Sequence, residues 1–178
     1  MTEARIRRAA PTPLRFHRAG DRPPAPYQRR RVCTIDHAAD WHVVCDLPGL
    51  EYQFPIDIAA TELRPDIVLW SESARELVLI ELTVPNEMRI AESMRLKQQR
   101  YAELVRECER TYATTLITLE VGYRGFWADQ SRRALQQLGI WNSQLKAYAE
   151  NAAIRASYVI FVNRNNAGWS GGSVRVTN

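Results

Sequence analysis

The stretch Arg64-Pro65-Asp66-Ile67-Val68-Leu69-Trp70, the polar break Ser71-Glu72-Ser73 and the run Glu76-Leu77-Val78-Leu79-Ile80-Glu81-Leu82-Thr83-Val84 decide the fold. Two apolar, β-branched runs joined by about five residues of turn character form a hairpin. Their apolar content is nearly continuous instead of alternating, so both strands are expected in the middle of a sheet and covered on both faces. Pro85 and Asn86 end the second run and start a helix to about Arg110, with Ile90, Met94, Tyr101, Leu104, Val105 and Cys108 at helical spacing.

Upstream, Trp41, Val43, Cys45 and Leu47 alternate with His42, Val44 and Asp46, the period-2 pattern of a half-buried strand, and Pro48-Gly49 end it. Residues 54–59 are a short strand or a loop. Downstream, residues 114–121 form another strand and Gly122-Tyr123-Arg124-Gly125 a turn. Helical patterns follow over about 128–138 and about 143–161, the latter with Leu145, Tyr148, Ala149, Ala152, Ala156 and Ile160 on one face. The order of elements predicts an α/β (α+β) fold, a mixed central sheet with flanking helices.

Composition sets the class. The chain has 178 residues, 46% hydrophobic and 25% charged, which suits one globular domain that needs no disulfide or metal staple. No run approaches 18 apolar residues, and the N-terminal stretch lacks the apolar core of a secretory signal. Glu3 and the early prolines weigh against a mitochondrial presequence. Three cysteines without a CxxC point to a reducing compartment, so the expectation is an intracellular protein with no membrane partner.

The net charge of +4 is unevenly spread. Residues 1–31 hold nine arginines against Glu3 and Asp21, a net of +7, while fifteen basic residues face eighteen acidic ones in the remainder. Five prolines fall between Pro11 and Pro26, which excludes a continuous helix or a central strand there. The expected organisation is a basic, disordered arm over 1–31, a folded domain over 32–162 and a flexible tail over 163–178. Solubility alone explains such an arm, and a polyanion such as nucleic acid is the partner it would suit.

The chemistry concentrates where hairpin and helix meet. Asp66 begins one hairpin strand and Glu81 lies near the end of its partner, so antiparallel pairing can bring both carboxylates to one end of the sheet. Two carboxylates with a nearby backbone carbonyl are hard oxygen ligands that suit Mg²⁺, although each acid alone is equally a solvent-edge strand cap. Of 24 basic residues only Lys97 and Lys146 are lysines. At ~100° per residue, Lys97 lies in line with Ile90 and Leu104 on the stripe that should face the sheet. An unpaired buried ammonium costs several kcal/mol, so its head either snorkels to solvent or meets a carboxylate. Tyr101, one turn on, shares that face. Cys33, His37, His42 and Cys45 are zinc-type residues at a spacing that does not suit a structural site. No GxGxxG, P-loop or HExxH string occurs.

Arg64-Pro65-Asp66-Ile67-Val68-Leu69, Ile80-Glu81-Leu82-Thr83-Val84-Pro85 and Lys97-Gln98-Gln99-Arg100-Tyr101, taken together, resemble the PD-(D/E)xK superfamily. In detail they resemble the restriction-endonuclease-like domain at the C-terminus of some non-LTR retrotransposon polyproteins, and uncharacterised proteins derived from it. In that subgroup the usual strand lysine is absent, and a lysine on the following helix, four residues before a tyrosine, is thought to replace it. Here Thr83 stands at the strand position and Lys97 is the candidate. Phe16-His17-Arg18-Ala19-Gly20, Asp40-Trp41, Asp46-Leu47, Val121-Gly122-Tyr123-Arg124-Gly125-Phe126 and Leu138-Gly139-Ile140 extend the likeness over roughly 15–165. One departure is the proline- and arginine-rich arm where the superfamily has a helix, often with another acid.

The resemblance implies a restriction-endonuclease-like core and hydrolysis of DNA phosphodiesters with Mg²⁺ or Mn²⁺. Asp66 and Glu81, with the Leu82 carbonyl, would hold the ion. Lys97 would act on the attacking water or the scissile phosphate, and Tyr101 would orient Lys97 or the water. Arg7, Arg8, Arg29, Arg30, Arg31 and Arg124 would contact DNA, with Glu120 a weaker candidate near the site. In a eukaryote the location would be nuclear. The alternative is an inactive module of the same fold that binds nucleic acid or protein. If the arm engages duplex DNA, deleting residues 1–31 reduces the log–log salt slope of binding by roughly 0.9 for each phosphate that the arm neutralises. A titration across ionic strength checks this, and an unchanged slope would leave the arm a linker.

Overall fold

The structure, a computed structural model, describes residues 33–49 and 51–165. It is an α+β fold built on a four-stranded mixed sheet. The strands are β1 (Trp41–Cys45), β2 (Ile67–Ser71), β3 (Glu76–Thr83) and β4 (Ala113–Glu120), in that spatial order. The first three form an antiparallel meander, and β4 runs parallel to β3. A parallel neighbour needs a crossover, and α1 (Ile90–Cys108) supplies it. After β4 come α2 (Asp129–Leu138) and α3 (Ser143–Asn163). No helix among the described residues is long and apolar enough to cross a membrane.

Alternation along β3 divides the core. Leu77 and Leu79 join Val68, Tyr101, Leu104 and Cys108 beneath α1, with Phe54, Ile58 and Ala59 of the long β1–β2 connection closing that side. Val78 and Ile80 join Ile117, Leu119, Leu135 and Leu138 beneath α2. Both faces of β3 are therefore covered, which is why its sequence is a continuous apolar run. Two side-chain caps set the helix starts. Asn86 Oδ1 accepts the Met88 N–H at 2.9 Å ahead of a single 3-10 turn (Glu87–Arg89), and Asn142 Oδ1 accepts the Leu145 N–H at 2.8 Å. Gly139, at φ 92°, ends α2 in the left-handed region, where an added Cβ would also meet the Cys33 Cβ at 2.7 Å.

Three expectations change. On β1 the apolar set Trp41, Val43, Cys45, Leu47 is not the covered one: Val43 and Leu47 are exposed, and Val44 packs on the core beneath α1. This strand lies at the sheet edge, where partial cover weakens the alternation signal. On α3 the stripe containing Tyr148, Ala152 and Ile160 is not buried, since Ala153 is the helix's one buried residue. Residues 54–59 form a turn and loop, the second of the two readings open for them. Asn163 belongs to α3 and donates through Nδ2 to the Val159 carbonyl at 2.9 Å, so the helix ends beyond 162. The arm over 1–31 and residues 166–178 lie outside the described residues.

Leu79 is fully buried between the sheet and α1. Truncation there leaves a cavity that the flanking β2 and α1 residues cannot fill without moving. Leu79→Ala is expected to cost about 2–5 kcal/mol, read as a lowered midpoint in urea unfolding at unchanged m-value. A loss under about 1 kcal/mol would mean that this face is loosely packed.

Candidate functional site: a carboxylate row under a lysine and a tyrosine

Strand register brings the acids together. Ile67 pairs with Ile80, so the next pair toward the sheet end is Asp66 with Glu81. Cys45 pairs with Ile67, which puts Asp46 beside Asp66, and the Asp46 N–H donates to the Asp66 carbonyl at 2.8 Å. Thr118 of β4 is the partner of Glu81 on the other side. Residues opposite one another share a face, and Glu81 has the parity of Leu77 and Leu79. Asp46, Asp66, Glu81 and Thr118 thus form a row across all four strands on the α1 side.

Glu81 is only 4% exposed, so its charge needs compensation. Lys97 Nζ forms an ion pair and hydrogen bond with Glu81 Oε1. The Tyr101 hydroxyl donates to Glu81 Oε2 at 2.8 Å, with the Arg64 carbonyl a secondary acceptor at 3.3 Å. Burial, and then the hydrogen bond to Glu81, hold the Tyr101 phenol well above its ordinary value, so it remains a donor at neutral pH. The out-of-pattern lysine of the helical stripe thus meets a carboxylate, and the tyrosine one turn on meets the same one.

Asp66 is held differently. Its Oδ2 accepts the Leu82 N–H at 2.6 Å, and no cation lies against it among the described residues. Burial pushes its carboxyl above the usual range, and the charges of Glu81 and Asp46 add to that push, against the Leu82 hydrogen bond and the more distant Lys97. Nearby, the Tyr52 hydroxyl donates to the Pro65 carbonyl at 2.6 Å and braces the backbone that carries Asp66. Asp46 Oδ1 is buried without a hydrogen-bond partner among the described residues, 3.6 Å from the Arg64 guanidinium. Asp46 and Arg64 have no role in the site expected from sequence. The period-2 pattern marks Asp46 as one of the strand's alternate residues, but only the register across the β1–β2 connection places it here.

The remaining predicted residues do not join the row. Glu120 is fully buried, and Ser131 Oγ of α2 accepts its N–H at 2.8 Å and donates to its carboxylate at 3.0 Å. Its Oε1 has no hydrogen-bond partner among the described residues. Glu120 therefore serves the β4–α2 contact. Arg124 is exposed on the turn after β4, where its N–H donates to Glu87 at 3.0 Å and its guanidinium lies 3.4 Å from the same carboxylate. Arg7, Arg8, Arg29, Arg30 and Arg31 lie outside the described residues. His37 pairs with Glu76 at 2.7 Å and His42 stacks on Trp70, so each has a partner unconnected with zinc. Gly168-Trp169-Ser170-Gly171-Gly172 has the letters of a nucleophile elbow, but it also lies outside the described residues and follows a helix, whereas that motif needs a preceding strand.

The donor set suits a hard cation. Asp66 keeps Oδ1 free of the Leu82 bond, Glu81 offers the remaining lone pairs of two engaged oxygens, and the Leu82 carbonyl lies next to Glu81 in sequence. No group of three or more His, Cys, Asp or Glu side chains among the described residues is arranged to hold a metal. Mg²⁺ asks for less, because it is commonly bound through one or two carboxylates and retains waters. No protein-family model matches this chain, and no curated protein is significantly similar to it.

The raised Asp66 value has a testable sign. Asp66 keeps its proton to higher pH when folded than when unfolded, so its contribution to stability is complete below about pH 4, the unfolded carboxylate value. It is lost as pH rises through the folded value. Asp66→Asn removes the charge and keeps an acceptor for the Leu82 N–H. The variant should melt above the wild type at neutral pH, and the two curves should converge below about pH 4. Equal or lower stability of Asp66→Asn at pH 7 would show that the Asp66 charge is not strained.

Proposed function

We propose that this chain is a metal-dependent DNA endonuclease of the PD-(D/E)xK kind, of retroelement origin, whose lysine comes from α1 and not from the strand. The observation that carries the reading is the convergence of Asp66, Glu81, Lys97 and Tyr101 from three separate elements. Generic packing gives no reason for the chain's one lysine in that helical stripe to lie over the carboxylate end of a hairpin. The resemblance of the three motifs and the α+β sheet with its β3–α1–β4 crossover are compatible with a restriction-endonuclease-like core. An intracellular location, nuclear in a eukaryote, accords with such a substrate.

Asp66, Glu81 and the Leu82 carbonyl would hold Mg²⁺ or Mn²⁺. When bound, the ion supplies charge stabilisation at the phosphate and lowers the pKa of a coordinated water. The protein's own groups do the rest. Asp66 is short of compensating charge and gains most from a cation beside it. Lys97 places a positive charge at the Glu81 carboxylate, where a scissile phosphate or an attacking water would lie, and favours the negative charge that develops there. Tyr101 keeps its proton, fixes the Glu81 carboxylate and so orients the face it offers. The hydrolysis itself joins a water oxygen to phosphorus and breaks one P–O ester bond, the departing oxygen taking a proton.

A second reading has an observation of its own. The Lys97–Glu81–Tyr101 set is satisfied within the protein, so it can persist for packing alone in a module that binds nucleic acid or protein without cutting. Nicking of supercoiled plasmid in Mg²⁺ or Mn²⁺ separates the two. Cleavage should appear with the wild type and vanish with Asp66→Ala and with Glu81→Ala. Lys97→Met, which keeps the apolar stem, should slow it by about 10² or more with DNA binding retained. Full activity in both carboxylate variants would end the nuclease reading, and a wild type inert in both metals would favour the binding module.

A further inference from the structure

A groove of about 500 Å³ is lined by Val84, just beyond β3, and by Tyr123, Tyr158, Ile160, Phe161 and Arg164. The groove has an unusual surface for a folded domain. Tyr158 is 67% exposed and Phe161 58%, and Val162 and Phe126 are exposed apolar residues as well. Such patches mark interaction surfaces more often than chance exposure.

Charge identifies the occupant. The Arg164 guanidinium lies 4.1 Å from the Phe161 ring centroid and that of Arg124 5.4 Å from Tyr123, so each arginine stacks on an exposed ring. Residues 151–165 carry Arg155 and Arg164 and no acid, and the 121–127 turn carries Arg124 and no acid. Arg124 pairs with Glu87 at 3.4 Å, Glu150 beside Gly125 pairs with Lys146, and no acid lines the groove itself. A second copy docked through this face would set arginines against arginines across grooves whose lining holds no acid. A polyanion is neutralised by them. Rings with arginines beside them take an unpaired base on the ring and its phosphate on the guanidinium. A duplex does not offer that, since its base faces are covered by their neighbours.

We propose that this groove binds single-stranded DNA, with Tyr158 and Phe161 as stacking platforms and Arg164 and Arg124 as phosphate contacts. The proposal rests on the nucleic-acid chemistry proposed above and adds the strandedness of the substrate. The test uses the full chain in EDTA, where no cleavage occurs, with fluorescein-labelled oligo(dT) of about 20 nucleotides, longer than one aromatic platform spans, and a duplex of equal length. Tyr158→Ala and Phe161→Ala should each weaken oligo(dT) binding by about tenfold and leave duplex binding within about twofold. Tyr158→Phe keeps the ring and should bind like the wild type. Circular dichroism checks that α3 survives each change.

Unchanged oligo(dT) affinity in both alanine variants would overturn the proposal. So would a wild type that sediments as a dimer and is dispersed by Phe161→Ala, because that result assigns the face to a second copy. The two proposals fail separately. A chain that binds oligo(dT) through Tyr158 and Phe161 but never nicks DNA loses the nuclease reading and keeps the groove. A chain that nicks duplex plasmid while both alanine variants bind oligo(dT) normally loses the groove alone.

Discussion

A carboxylate is buried at the junction of β3 and α1, and the way α1 docks on the sheet depends on it. An ionised glutamate this far from water costs several kcal/mol unless a cation and hydrogen-bond donors meet it. Lys97 and Tyr101 meet it, one on each oxygen of Glu81. They are four residues apart and lie on one face of α1, so satisfying Glu81 fixes both the rotation of the helix and its position along the sheet. Leu104 and Cys108 then fall on the same apolar core as Leu77 and Leu79. A helix slid by one turn would leave the glutamate bare and the ammonium among aliphatic side chains.

Much of this is legible in the sequence because the deciding signals are local. The continuous apolar runs of β2 and β3, the Ser71-Glu72-Ser73 break and the Pro85-Asn86 stop fix a hairpin and a helix start. A lone lysine on an apolar stripe narrows its head to two places, solvent or a carboxylate opposite. What is not legible depends on distance along the chain. Asp46 joins the row only through pairing across the long connection from β1 to β2, and no local pattern specifies that register. The covered face of β1 escapes the alternation rule because an edge strand is only partly covered. The stripe on α3 misleads because periodicity shows where apolar residues lie and is silent on whether anything lies against them.

The contrast between the two central carboxylates links structure to chemistry. Glu81 is compensated by groups that come with the fold. Asp66, its neighbour in the row, has a backbone N–H and no adjacent cation among the described residues, while burial and the charges of Glu81 and Asp46 act against its ionised form. A protein selected for stability alone would neutralise this position or replace it. Groups whose environment opposes their charge cluster where a ligand later supplies the compensation.

The place of the lysine on a helix has a consequence for the same geometry. Thr83 lies two residues beyond Glu81 on the same face of β3, and its hydroxyl is buried without a hydrogen-bond partner among the described residues. A lysine at that position would start from the strand beside the carboxylates and would not constrain the helix above. Lys97 reaches from α1 with its ammonium at Glu81, so one ion pair both seats the crossover helix and brings a positive charge to the carboxylate row. Holding the charge on the helix ties the integrity of this cluster to the docking of α1. A loosened helix would uncover Glu81 and withdraw Lys97 together, and the site would lose its cation at the moment the fold loses its anchor.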